Sequence, residues 1–287
     1  MYSKKLFTPL RYPGGKARFA PAIAAFMRAN RLDGGHYMEP YAGGAGVALE
    51  LLYDQVVEEI HINDADPAVR DFWLVATRHN RALVRMVESE PVNIDAWMHW
   101  REVMLGNVKS SLLERGFATL FLNRTNRSGI LKGGVIGGKA QSGDYKLDAR
   151  FKPDVLIARL ELIRKHSKFI HVYGEDALCL LRRCRDIIPR RSLLYLDPPY
   201  YMKGQGLYRN FYVHDDHVAI ASLLQSDEFD RPWLVSYDDA PAIREMYSRS
   251  ASFGYGLSYT AQRRYVGSEV MFVGPGLLPE ISSILAA

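Results

Sequence analysis

Ser192-Leu193-Leu194-Tyr195-Leu196-Asp197-Pro198-Pro199-Tyr200 begins as a short apolar run and ends in two prolines. Leu193 to Asp197 predicts a buried strand. Proline lacks a backbone donor and has a fixed φ, so the strand stops at Asp197 and a rigid turn follows. That turn sets a carboxylate (Asp197), a carbonyl (Pro198) and an aromatic ring (Tyr200) at the carboxyl end of a strand. Open α/β sheets bind their ligands there.

These three groups suit a planar exocyclic amine, whose lone pair is delocalised into its ring. Asp197 and the Pro198 carbonyl would accept its hydrogens and draw the nitrogen towards tetrahedral geometry, while Tyr200 offers a face for stacking. The plainer alternative is an Asp-Pro-Pro turn that only closes a strand.

Upstream, Leu10-Arg11-Tyr12-Pro13-Gly14-Gly15-Lys16 leads into an amphipathic helix from Ala17 to Asn30. Glycines before a helix allow close backbone approach, and a helix N-terminus favours negative groups. Lys16 is then a ligand contact or a solvated first-turn residue. A strand at His36 to Pro40, the loop Tyr41-Ala42-Gly43-Gly44-Ala45-Gly46 and a helix from Val47 to Tyr53 make a first βα unit of nucleotide-binding type, without the full dinucleotide fingerprint. A second strand, Glu59 to Asp64, ends in a carboxylate placed to hold ribose hydroxyls, with Asp66 left to cap the helix that begins at Pro67. Asp176, after a strand at Phe169 to Tyr173, suits an adenine amine or the cap of a helix from Ala177 to Arg185.

From Pro67 to about Asn123 the chain reads as helical. Phe72, Trp73, Trp97, Trp100 and Phe117 fall at spacings that favour a core. The glycine-rich segment 124–152 carries seven basic residues against two acidic ones, a net charge of +5 that equals that of the whole 287-residue chain. Basic, amide and hydroxyl side chains in a long loop are the inventory for phosphate and base-edge contacts, and the segment is expected to order on binding. Gly133 to Lys139 mimics a phosphate-binding loop, but Ala140 cannot ligate magnesium and no strand precedes it. His214-Asp215-Asp216-His217 reads as a helix cap rather than a metal site. Tyr201, Tyr208, Phe211 and Tyr212 form an aromatic loop after the Asp-Pro-Pro-Tyr turn. Strands are expected at Trp233 to Tyr237, Tyr255 to Thr260 and Glu269 to Val273, with Arg263 and Arg264 as a second basic pair.

A hydrophobic fraction of 48% supports a substantial core. Cys179 and Cys184 read as buried thiols in a reducing compartment. With no export signal and no long apolar run, a cytoplasmic, nucleoid-associated monomer is expected.

Taken together, Tyr12-Pro-Gly-Gly-Lys16, Glu39-Pro-Tyr-Ala-Gly-Gly-Ala-Gly46, Asn63-Asp64, Gly174-Glu-Asp176 and Leu196-Asp-Pro-Pro-Tyr200 resemble the Dam-like (D12 class) DNA adenine methyltransferases, in the family's order and over nearly the full chain. The resemblance implies an α/β fold: a doubly wound, mostly parallel seven-stranded sheet of the class I S-adenosylmethionine-dependent methyltransferase type. Residues 1–66 and 153–287 would form the catalytic domain and 67–152 a helical DNA-recognition insertion.

The same resemblance implies S-adenosylmethionine as methyl donor and no metal. It places Tyr12, Lys16, Asp64 and Asp197 on cofactor-contacting positions, Tyr41, Gly43 and Gly44 beneath the methionine part, and Asp176 near the cofactor's adenine. Asp197, Pro198 and Tyr200 would act on a flipped adenine. Phe121 to Ile130 resembles the family's DNA-contacting segment; Arg124, Asn126 and Arg127 are expected to touch bases or steady the flipped site, and the charge of the segment puts Lys132 and Lys139 on phosphates of double-stranded DNA. Tyr12 stands where tryptophan is more familiar, and the segment after Arg127 differs from the GATC-reading enzymes, so that specificity is not carried over. DNA cytosine, RNA adenine or a glutamine side chain as acceptor, and an inactive DNA-binding relative, are the alternatives.

Overall fold

The computed structural model describes residues 3, 5–12, 15–202, 212–259 and 265–279. In chain order these form α1 (Ala20–Ala29), β1 (His36–Glu39), α2 (Gly46–Tyr53), β2 (Glu59–Asn63), α3 (Pro67–Arg78), α4 (Asn80–Ser89), α5 (Ile94–Leu105), α6 (Leu112–Thr125), α7 (Pro153–His166), β3 (Ile170–Tyr173), α8 (Ala177–Arg182), β4 (Ser192–Leu196), α9 (His214–Leu224), β5 (Trp233–Asp238), α10 (Pro241–Met246), β6 (Ala251–Tyr259) and β7 (Tyr265–Val273). The sheet is seven-stranded and mixed, in the order β3-β2-β1-β4-β5-β7-β6.

Strand β1 pairs in parallel with β2 and β4, and β4 pairs in parallel with β5. Strand β7 enters antiparallel between β5 and β6. The chain therefore builds outward from β1 to β2 and β3, then returns to place β4 on the other side of β1. The winding reverses between β1 and β4, and open α/β sheets bind ligands at the carboxyl ends of strands at such a point.

The residues divide into two compact units. One holds 3–6, 16–66 and 173–287 as far as they are described; the other holds 7–15 and 67–172. In the first, the core gathers Met38, Leu194, Leu196, Ile220, Val235, Tyr237 and Phe272, drawn from the central strands and α9. All five residues of β4 are buried, as a strand covered on both faces requires. Helix α8 ends at Arg182, short of the expected Arg185, and passes into a 3-10 turn at Cys184–Asp186. It turns Leu180 and Leu181 inward, which leaves Cys179 exposed and only Cys184 buried; the expectation of two buried thiols is corrected at Cys179.

The second unit is a helical body organised by α6. Trp100 meets Phe117 edge-on with ring centres 4.9 Å apart, and Phe117 leads through Phe121 to Phe151. Phe72, Trp73, Trp97, Trp100 and Phe117 are all buried, so the expected core role holds. Gly116 lets α3 and α6 approach closely, since a Cβ there would lie 2.7 Å from Val75 Cγ2.

Candidate active site

Asp197, immediately past β4, is held by two residues within the first unit. Lys16 Nζ donates to Asp197 Oδ1 at 3.1 Å and lies 3.3 Å from Oδ2. Ser236 on β5 donates its hydroxyl to Oδ1 at 2.8 Å, and Tyr195 OH stands 3.0 Å behind Ser236 Oγ. The carboxylate remains partly accessible at 23%. The next turn is secured by Asp238 at the end of β5, whose oxygens accept from the Tyr201 and Met202 amides at 2.9 Å each.

Lys16 is 6% exposed, which rules out a solvated first-turn role. It donates to Tyr200 OH at 2.6 Å and lies 3.3 Å from Glu269 Oε2. Tyr200 OH in turn donates to Glu269 Oε1, and Tyr255 OH donates to Glu269 Oε2 at 2.6 Å. Tyr200 is buried rather than presented as an open platform, with the Lys16 ammonium 5.1 Å from its ring centre. Burial raises the Glu269 carboxyl above its ordinary range; Lys16 is the strongest influence pulling it down, and the nearby Asp197 opposes that.

The antiparallel entry of β7 explains how Glu269 arrives here. It sits opposite Asp238 on β5 and opposite Tyr255 on β6, at the carboxyl end of the parallel strands. Glu269, Ser236 and Asp238 were all missed as site residues in the sequence. Asp238 had a visible signal, a carboxylate closing the strand that begins at Trp233. Glu269 had none, because its place depends on a long-range antiparallel pairing.

At the neighbouring end of β1, the glycine loop folds back on β2. Gly43 takes a left-handed φ of 47° and donates its amide to Asp64 Oδ2 at 3.0 Å. Asp64 Oδ1 accepts the Asp66 amide at 2.9 Å. Burial pushes the Asp64 carboxyl up to about 7, and the charge of Asp66 adds to the rise, against those two amides. Gly44 is buried in the same loop, and Tyr41 donates to Tyr212 OH at 3.0 Å. Gly46 serves packing: a Cβ there would lie 2.6 Å from Ala17 Cβ.

The N-terminus of α2 has no cap on its own Ala45, which itself adopts φ 47°. Instead Glu39 Oε1 on β1 accepts the Ala48 amide at 3.2 Å and the Tyr37 hydroxyl at 3.0 Å. Burial raises the Glu39 carboxyl to about 8. Its folded form therefore binds a proton that the unfolded chain releases. Stability falls as pH rises from about 4.5 to about 8, by a few kcal/mol at most, since each tenfold change in proton affinity is worth about 1.4 kcal/mol. Glu39→Gln keeps an acceptor for both donors, so urea unfolding of that variant should depend less steeply on pH across this window. An unchanged slope would refute the assignment.

Asp176 caps α8, its Oδ1 accepting the Leu178 and Cys179 amides at 2.9 and 3.2 Å. The capping alternative is thus realised. Asp216 likewise accepts the Val213 amide at 2.9 Å at the start of α9, and His217 is buried against Tyr237 OH.

In the second unit, Tyr12 is half-buried and its carbonyl accepts the Gly15 amide at 3.1 Å. Two expected base-reading residues turn out to be structural. Arg124, 8% exposed, donates Nε to the Pro9 carbonyl at 2.6 Å. Asn126 is fully buried: its Oδ1 accepts Trp97 Nε1 at 2.7 Å and its Nδ2 donates to the Ile130 and Leu131 carbonyls. With every side-chain group engaged inward, Asn126 has none left for a base edge.

Nor is the segment 124–152 an unstructured loop. Asn126 and Val135 form a β-bridge, and Gln141 holds the Ile136 and Gly138 carbonyls and the Leu147 amide. These contacts tie the glycine-rich segment together from within. They leave Arg127, Lys132 and Lys139 exposed. Tyr208, Phe211, Arg263 and Arg264, together with Pro13 and Gly14, lie outside the described residues.

Among solved structures, the chain is similar to the rRNA methyltransferase aviRa of Streptomyces viridochromogenes, at 13% identity over 94% of this chain and 89% of that one, with a TM-score of 0.41, too loose a likeness to bear on function. No curated protein matches the chain significantly. The family model of D12 class N6 adenine-specific DNA methyltransferases matches residues 12–263, a span that takes in the glycine loop, the helical unit and the Asp-Pro-Pro-Tyr turn alike. The chain belongs to that family, and it is an adenine-specific DNA methyltransferase that takes its methyl group from S-adenosylmethionine.

Proposed function

We propose that methylation proceeds on an adenine turned out of the duplex, with the Asp197-Pro198 turn acting on its 6-amino group. Asp197 and the Pro198 carbonyl accept the two amine hydrogens, which draws the nitrogen lone pair out of the ring and makes it nucleophilic. The single observation that carries this reading is the Lys16–Asp197–Tyr200–Glu269 network, which fixes an acceptor at the end of a proline-stopped strand. Pre-positioned acceptors contribute because they need no reorganisation as charge develops. The methylated nitrogen then loses its proton to water.

Asp64, with the Gly43 amide beside it, suits a ribose, and the tight Gly43-Gly44 turn suits the methionine part of the donor. S-adenosylmethionine supplies an electrophilic methyl on a sulfonium. Asp176 keeps one carboxylate oxygen beyond its capping bonds for an adenine amine. Tyr12 is assigned to the donor by the resemblance. Residues 1–66 with 153–287 act as the catalytic part and 67–152 as the recognition part. Action as a monomer, on DNA in the cytoplasm, belongs to the same reading. Among the described residues no helix is long and apolar enough to cross a membrane.

Long-read mapping of modified adenines in expressing cells gives the target motif. A duplex with 2-aminopurine at that adenine should brighten on binding, since an unstacked base is no longer quenched. No brightening on a duplex that is bound and methylated at its ordinary counterpart would refute the extruded-base step.

Lys132 and Lys139 are exposed on the turn framework and are assigned to phosphates. Alanine at either should weaken binding to all duplexes alike and lower the salt slope by about one. Arg127, also exposed, keeps the base-proximal role that Arg124 and Asn126 give up. A titration of cognate and scrambled duplexes across salt concentrations checks this. Slopes equal to wild type would remove the lysines from the DNA face.

A further inference from the structure

At the opposite end of β1 from the glycine loop, three potential metal ligands converge within the first unit. His36 stands directly across from Glu59 in the β1–β2 register, and His61 lies two residues further along β2 on the same face. His36 Nδ1 is 3.0 Å from His61 Nε2 and 3.9 Å from Glu59 Oε2. One ligand atom from each of the three lies within 4.8 Å of the others. We propose that His36, Glu59 and His61 form a binding site for one divalent ion of the zinc class, structural in role and separate from methyl transfer.

Two ligands that each sit about 2.0–2.2 Å from a shared ion can be at most about 4.4 Å apart. Both separations from His36 fall inside that span, and Glu59, about one-third exposed, closes the remaining side by rotating. The outer shell is also built. His61 is buried, and its second nitrogen, Nδ1, lies 3.0 Å from Tyr173 OH, with the two rings nearly parallel at 14°. A ligating histidine whose other nitrogen is held in this way is fixed in tautomer and orientation. Two imidazoles and one carboxylate with a partly open side match the donor set of zinc and its neighbours rather than of calcium or magnesium. Bound there, the ion would clamp β1 to β2, the two strands whose far ends carry Gly43 and Asp64.

The test uses the full chain, free of any affinity tag and stripped with a chelator, titrated with zinc chloride by calorimetry and with cobalt chloride by visible absorption. The expected result is one zinc per chain, a higher melting temperature with zinc, and cobalt bands of a four- or five-coordinate site. His36→Ala and Glu59→Gln, on partly exposed residues, should each weaken binding by at least about tenfold, and Tyr173→Phe by about 10- to 100-fold. Circular dichroism checks that each variant is folded. No zinc uptake by the wild type would overturn the proposal and leave a hydrogen-bonded histidine pair. Uptake that is unchanged in both His36→Ala and Glu59→Gln would overturn it equally, placing the ion elsewhere, for instance at the exposed Cys179.

Discussion

Asp197→Ala should lower methyl transfer by about a hundredfold or more, the scale of losing one fixed electrostatic partner of a transition state, with little change in the unfolding curve. The carboxylate accepts from Lys16 and Ser236 but is not part of the packed core. In its absence Lys16 still has Glu269 3.3 Å away, so no buried cation is stranded. Asp197→Asn is the sharper probe, because it keeps the shape while replacing one acceptor oxygen with a donor that opposes the amine hydrogens. Single-turnover transfer from labelled donor separates this loss from donor binding. A rate within about tenfold of wild type in both variants would remove Asp197 from the chemistry.

Lys16→Met carries the second large effect, also about a hundredfold in rate. The ammonium lies between the Asp197 and Glu269 carboxylates and touches Tyr200 OH. Burial already raises Glu269, and Lys16 is the strongest influence holding it down. Without the cation, burial and the neighbouring Asp197 charge leave Glu269 protonated to higher pH. The acidic limb of the rate–pH profile should therefore move to higher pH, a change that mere loss of packing would not cause. Adding Glu269→Gln to this variant removes one of the two charges and should move the limb back. A profile of wild-type shape in Lys16→Met, at whatever height, would show that the lysine does not govern the carboxylates.

Much of the catalytic unit is legible in the sequence because its strands are punctuated. Pro198, Pro40 and the Gly43-Gly44 turn stop strands at the residues that form the site, and local chemistry alone places them. The long-range parts are not legible. Glu269 reads as one polar residue in an apolar strand, and only the antiparallel insertion of β7 brings it to Lys16.

Arg124 and Asn126 show the opposite failure. Their side-chain types suit nucleic acid, yet they stand at the end of a helix whose neighbours need donors and acceptors. Asn123 illustrates the demand, since it holds both the amide and the carbonyl of Arg11 at 2.7 and 2.8 Å. Buried backbone groups must be paired, and that need overrides any surface role. Exposure cannot be read from residue type.

The same strand order that delivers Glu269 also sets when the enzyme becomes competent. Lys16 and Glu269 lie nearly the whole chain apart in sequence, and the strand carrying Glu269 wedges between two others. Contacts of such separation are costly in loop-closure entropy and form late. A nascent chain that has already folded its first strands and glycine loop therefore still lacks the network that steadies Asp197. Methylating activity should therefore emerge only once β7 has wedged between β5 and β6 during refolding from urea.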